Sequence, residues 1–153
     1  MEQTERMSQD TTTQETIGAQ TTGHPMAAAY RDTVAAYLHR LGRCDVDGIV
    51  ALFAHGARVF SPFLGWMAPR PFFERLREAS GDSRIEPLDT LVSVTGAPRA
   101  IGYFVYHWGL KDGSQVRFDC CDVFDFAPDG RIATMTIVYD THPIRADAGD
   151  KYG

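Results

Sequence analysis

Long apolar runs, an excess of basic residues and a paired set of cysteines are all missing from this 153-residue chain. No run of about 18 apolar residues occurs, so the sequence offers no helix to cross a bilayer. Lys and Arg number 15 against 20 Asp and Glu, a formal net charge of −5. A nucleic-acid-binding domain would carry a basic stripe instead, and an anionic membrane surface would repel this balance. The three cysteines, Cys44, Cys120 and Cys121, are odd in number and two are adjacent. That pattern gives no disulfide framework and points to a cytoplasmic protein with reduced thiols. Glycine-rich phosphate loops are lacking, which argues against a nucleotide cofactor. The polar run from Asp119 to Asp122 sends its members to opposite faces of a strand and has no histidine pair beside it, so no metal is expected. The first 25 residues, MEQTERMSQDTTTQETIGAQTTGHP, have neither the basic start nor the apolar stretch of a secretory signal. They read as a disordered, dispensable tail.

What is present is an ordinary globular balance, 44% hydrophobic and 23% charged, in a length that suits one domain able to enclose a cavity. The domain is expected over residues 26–143, followed by a flexible tail over 144–153. Tyr30, Val34, Tyr37, Leu38 and Leu41 recur at helical spacing and predict a helix over 26–41, stopped near Gly42. Asp45 can cap a second helix that carries Ile49, Val50, Leu52 and Phe53. A short strand over 57–61 ends at Pro62, and Pro71 opens a third helix with Phe72, Phe73, Leu76 and Ala79. Four longer strands follow, over 85–95, 100–110, 114–126 and 131–140, separated by short turns that force antiparallel pairing. Helices first and a strand meander afterwards predict an α+β fold with three helices covering one face of a curved antiparallel sheet.

Turn lengths then fix a register. A two-residue turn at Asp112-Gly113 sets Tyr103 opposite Asp122 and His107 opposite Phe118. A four-residue turn over 127–130 sets Asp122 opposite Met135 and Phe118 opposite Tyr139. One face then carries Tyr103, Val105, His107, Phe118, Cys120, Asp122, Phe124, Met135, Ile137 and Tyr139. Asp122 stands where alternation calls for a hydrophobe. A carboxyl group there would have its pKa raised by desolvation, whereas an aspartate at a bulge or a mouth would simply turn to water. His107 has a suitable unperturbed pKa for a base but lies about 13 Å along the sheet from the Asp122 row. Ser61 lacks the surroundings of a nucleophile elbow. Phe53, Phe63 and Trp66 are expected to complete the apolar wall and rim.

The segment 34–63, VAAYLHRLGRCDVDGIVALFAHGARVFSPF, resembles the first two helices and first strand of bacterial ketosteroid isomerase, and FDCCDVFDFAPDGRIATMTIVY resembles its last two strands. With the weaker middle the likeness covers residues 26–143, and it extends to the SnoaL-like polyketide cyclases of the NTF2-like superfamily. The resemblance implies a cone-shaped fold around a pocket. It also implies an oxyanion hole made by a helix tyrosine and a protonated aspartic acid, which fall on Tyr37 and Asp122. The family's base, an aspartate before Pro-Phe, falls on Ser61, whose hydroxyl cannot hold a proton reversibly near neutral pH.

These observations lead to a cofactor-free isomerase or cyclase acting on a small apolar carbonyl compound, polyketide- or steroid-like. Tyr37 and Asp122 would hydrogen-bond the carbonyl, and His107 or Ser61 would assist proton movement. An epoxide hydrolase of the same fold and a non-catalytic binding module are the alternatives. A homodimer is expected from the resemblance and from the opposite sheet face, where Phe104, Tyr106, Trp108, Cys121, Val123, Thr136 and Val138 would form an apolar patch.

Overall fold

The computed structural model describes residues 23–142 and 145. The tails expected over 1–25 and 144–153 lie outside the described residues, apart from residues 23–25 and 145. Among the described residues no helix is long and apolar enough to cross a membrane.

The element order is α1 (Ala27–Gly42), α2 (Val46–Val50), β1 (Phe53–Ser61), β2 (Gly65–Met67), α3 (Pro69–Ala79), β3 (Arg84–Val92), β4 (Arg99–Gly109), β5 (Gln115–Phe126) and β6 (Ile132–Tyr139). The strands form one six-stranded sheet in the order β2-β1-β6-β5-β4-β3, antiparallel except for the parallel β1–β6 pair. The α+β class expected from the sequence is the one observed. α2 is shorter than its apolar pattern suggests. Its Asp45 cap holds the Gly48 amide at 3.0 Å, and after Ala51 the chain turns so that Phe53 starts β1 rather than continuing the helix.

The helices bury the stripe that the 3.6-residue period predicts. Tyr30, Val34, Tyr37, Leu38 and Leu41 of α1 all lie inward. Tyr30 stacks on Phe126 of β5 at 4.0 Å, and Phe73 of α3 meets Tyr37 edge-on at 6.1 Å. α1 comes close to the sheet where β4 carries Gly102, since a Cβ there would lie 3.0 Å from Val34 Cγ1. Gly102 is the register partner of Asp122, so the missing side chain opens the space through which α1 approaches that row.

The register of β4 on β5 differs from the expected one by a single residue. Gly102 pairs with Asp122 and Tyr106 with Phe118. The reason is the turn. Lys111, Asp112 and Gly113 form a three-residue loop closed by the Leu110 amide on Ser114 O at 2.8 Å, with Gly113 at φ +85°, the left-handed geometry such loops need. A one-residue slip moves every side chain to the other face. Tyr103, Val105 and His107 therefore stand on the outer face, away from the helices, and Phe104, Tyr106 and Trp108 take the inner one. Between β5 and β6 the shift is two residues, with an irregularity after Asp125, so Asp122 faces Ile137 instead of Met135 and the faces are preserved.

Candidate active site

The inner face of the sheet and the helices enclose a cavity of about 50 Å³. Its sheet wall is made by Phe104, Tyr106 and Trp108 of β4, Phe118, Cys120 and Asp122 of β5, and Ile137 and Tyr139 of β6. Tyr37 and Leu41 of α1, Phe72 and Leu76 of α3, and Ser61 at the end of β1 close it from the other side. Trp108 is fixed by its indole N–H, which donates to Ser80 Oγ at 2.8 Å, while Ser80 Oγ donates to the Leu76 carbonyl at 2.6 Å. The C-terminal turn of α3 is thus tied to β4 beside the cavity.

Asp122 is 2% exposed and Tyr37 1%. The Tyr37 hydroxyl donates to Asp122 Oδ2 at 2.9 Å, and the Cys120 thiol donates to Oδ1 at 3.2 Å. Two effects oppose each other on this carboxyl. Loss of solvent disfavours the charge and is the larger, while the bonds from Cys120 and Tyr37 favour it. The balance pushes the Asp122 pKa up to about 6. Burial, reinforced by the neighbouring carboxylate, raises the Tyr37 phenol well above its ordinary value. Burial and Asp122 likewise raise the Cys120 thiol, which makes it a neutral hydrogen-bond donor rather than a nucleophile. Asp122 is therefore the one described lining group that changes protonation state near neutral pH. Among the described residues no cluster of metal-ligating side chains is found.

The other residues expected at the site fall in several places. Ser61, 6% exposed, lines the cavity, and its Oγ accepts the Phe63 amide at 3.3 Å. Phe118, Cys120, Ile137 and Tyr139 also line it. Phe63 is half-buried with its ring 6.4 Å from Tyr139, beside the cavity rather than on its wall. Phe53 and Met135 belong to the packed core, Phe53 against Phe73 at 5.9 Å. Trp66 is 48% exposed and lies under the Arg58 guanidinium at 5.1 Å, on the surface.

Tyr103, Val105 and His107 are not at the cavity, a correction that follows from the three-residue loop. His107 Nε2 sits 2.8 Å from Arg84 Nη2 and 3.0 Å from Glu86 Oε2 on the outer face. No rotamer brings it through the sheet. Sequence reasoning passed over Leu41, Phe72, Leu76, Phe104, Tyr106 and Trp108. One signal was available for the β4 members. Phe104, Tyr106 and Trp108 are bulkier and more apolar than Tyr103, Val105 and His107, so they were the better set for the inner face.

Three solved structures similar to this chain are distant from it in sequence. SalBIII, described as an epoxide hydrolase/cyclase-like enzyme in pyran ring formation in the polyether salinomycin, is 22% identical with a TM-score of 0.64, covering 76% of this chain and 94% of its own. Bal32a from a soil-derived mobile gene cassette is 22% identical with a TM-score of 0.63, over 74% and 90% of the two chains. AclR of Streptomyces galilaeus is 14% identical with a TM-score of 0.66, over 80% and 97%. At these identities they establish the fold. Comparison with curated proteins finds no significant match. The family profile of the SnoaL-like domain matches residues 34–135, from the middle of α1 into β6. By that match and the NTF2-like architecture around its cavity, the chain belongs to the SnoaL-like domain family.

Proposed function

We propose that the protein is a cofactor-free cyclase or isomerase for a small, mostly apolar, oxygen-bearing molecule, with Asp122 exchanging the proton and Tyr37 as its hydrogen-bonding partner. The observation that carries this reading is the buried Asp122–Tyr37 pair at 2.9 Å on the cavity wall, with the carboxyl poised at a pKa of about 6. A group that titrates close to working pH can both give and take a proton, which is what acid–base catalysis needs. In its acid form Asp122, held in place by the Tyr37 hydroxyl on Oδ2, donates to a substrate oxygen and stabilises an enolate or oxyanion as it forms. In its ionised form it accepts a proton.

With His107 on the outer face and Ser61 limited to hydrogen bonding, the site has one proton-exchanging group. A carbon-to-carbon proton shuttle beside a separate oxyanion hole needs more than that. Ring closure needs less, because one carboxyl can take the proton from an attacking hydroxyl as the new C–O bond forms and return it to the oxygen freed when an epoxide C–O bond breaks. The likeness to SalBIII, whose described role is in pyran ring formation, supports a ring-forming reaction. The cavity of about 50 Å³ is walled mostly by aromatic and aliphatic groups around one carboxyl, which suits an apolar molecule with one polar group. The same volume admits a water, so hydrolytic opening of an epoxide by water activated at Asp122 is the second reading.

The test is proton–deuterium exchange at the α-carbons of cyclohexanone in D2O, followed by NMR. Exchange should run faster than in an equal concentration of acetate, and Asp122→Asn should remove the excess. Exchange no faster than with acetate would take enolate chemistry away from this site.

A further inference from the structure

The cavity is one-sided in charge. Asp122 is the single carboxylate on its wall, and no Lys, Arg or His is among the described lining residues. Its partners, the Tyr37 hydroxyl on Oδ2 and the Cys120 thiol on Oδ1, are neutral donors that leave the negative charge in place. An ionised carboxylate has about four lone-pair sites, so it can take a further bond from any group that donates. Ser61 has the opposite character. Its Oγ already accepts the Phe63 amide, and no acceptor among the described residues takes its own O–H.

We infer that this pocket selects its ligand by charge and hydrogen-bond polarity: it takes small apolar molecules whose buried end is a hydroxyl, with a second oxygen as acceptor for Ser61, and it turns carboxylates away. This rests on the reading of the cavity as the ligand site and adds the class of ligand. A ligand carboxylate beside Asp122 would bring two like charges together in a low-dielectric space without a cation. A ketone finds no donor at Asp122 while that carboxyl is ionised, and gains one there once it is protonated. A hydroxyl suits both states, donating to one and accepting from the other. The titratable groups packed around Asp122 are the phenols of Tyr37 on α1, Tyr106 on β4 and Tyr139 on β6, and the Cys120 thiol on β5. α3 and β1 present Phe72, Leu76 and Ser61. None of these is a cation or a second carboxylate, so a pH response of binding between about 5 and 8 belongs to Asp122.

Isothermal titration calorimetry of the full chain with cyclohexanol, cyclohexanone and cyclohexanecarboxylate tests this. At pH 8 the alcohol should bind at least about tenfold more tightly than the ketone, and the carboxylate should give no measurable heat. At pH 5 the ketone should gain at least about tenfold while the alcohol changes little. Asp122→Asn should abolish the ketone's pH dependence and admit the carboxylate. The order of the three ligands on the unchanged protein is itself decisive, whether or not that variant folds. Carboxylate binding as tight as the alcohol's at pH 8, or a ketone affinity indifferent to pH, overturns the selection and leaves the acid–base reading to its exchange test. Lost exchange with the ligand order intact overturns only the acid–base reading. Failure of all three ligands to bind overturns both.

Discussion

Asp122 is a residue the fold tolerates rather than one it needs. Its carboxyl is held at about 6 in the folded chain against an ordinary 3.8. The folded state therefore binds the proton more tightly than the unfolded one. The stability this provides is fully present below about pH 4 and is lost as the pH rises through about 6. A shift of that size corresponds to about 3 kcal/mol. Asp122→Asn, which never ionises, should accordingly raise the denaturation midpoint at pH 8 and change it little at pH 4. Equal effects at both values would mean that the carboxyl is not desolvated as its surroundings imply. In function the order reverses. Asp122→Asn should keep part of ligand binding because an amide still donates, Asp122→Leu should lose more, and loss of an oxyanion donor typically costs about 3–4 kcal/mol in the transition state. Tyr37→Phe should weaken the same step, and the double variant should fall short of the sum because the two groups share one bond at 2.9 Å. Strict additivity in steady-state kinetics would separate their roles. Ser61→Asp restores a carboxylate where ketosteroid isomerases keep their base. It should add measurable isomerisation of 3-cyclohexenone, which the unchanged protein should turn over poorly, and efficient turnover by the unchanged protein would show that Ser61 marks no loss.

At the scale of elements, the approach of α1 to the sheet sets the distance between Tyr37 and Asp122. Gly102→Ala puts a methyl 3.0 Å from Val34 Cγ1 and 3.7 Å from Leu38 Cδ1, so the Val34 side chain, or α1 with it, must give by a few tenths of an ångström. Overpacking of this kind costs about 1–3 kcal/mol, and the Tyr37–Asp122 bond should lengthen with it. A variant with unchanged stability and an unchanged pH profile of ligand binding would show that α1 has slack at this point. The same elements show what sequence alone could reach. α1 was legible because five apolar residues repeat at one period, and Tyr37 came with it. β5 was legible because Asp122 breaks an otherwise apolar alternation. β4 was misread by one residue, since Asp112-Gly113 fits a two-residue turn as readily as the end of a three-residue one. The closing bond from Leu110 to Ser114 decides between them, in agreement with the greater bulk of Phe104, Tyr106 and Trp108. That single choice carried His107 into the expected pocket and Trp108 out of it. β2 escaped notice because three residues are too few to show a period.

At the scale of the molecule, the helices cover one face of the sheet and leave the other open. Correcting the register removes Phe104, Tyr106 and Trp108 from that outer face, yet an apolar row remains. Trp66, Phe60, Thr136, Val123, Ile101 and Leu91 are successive register partners across all six strands. The next row adds Val138, Cys121 and Tyr103. Trp66, Leu91 and Val138 are 48%, 49% and 51% exposed, and a contiguous patch of this kind usually marks an interface. Arg99 and Asp125 pair at 2.7 Å at one margin, and Arg84, Glu86 and His107 cluster at another. A rim of both signs lets the face meet a second copy of itself without net repulsion, as a two-fold interface requires. We therefore propose a homodimer through this outer face, leaving the cavities on the far sides of the two sheets. Light scattering at micromolar concentration should give twice the chain mass. Val138→Arg, half-exposed and outside the core, should halve that mass while leaving the fold intact, because the new charge would be buried without a partner. A monomer mass for the unchanged protein would rule the interface out, and a dimer that survives Val138→Arg would place it elsewhere.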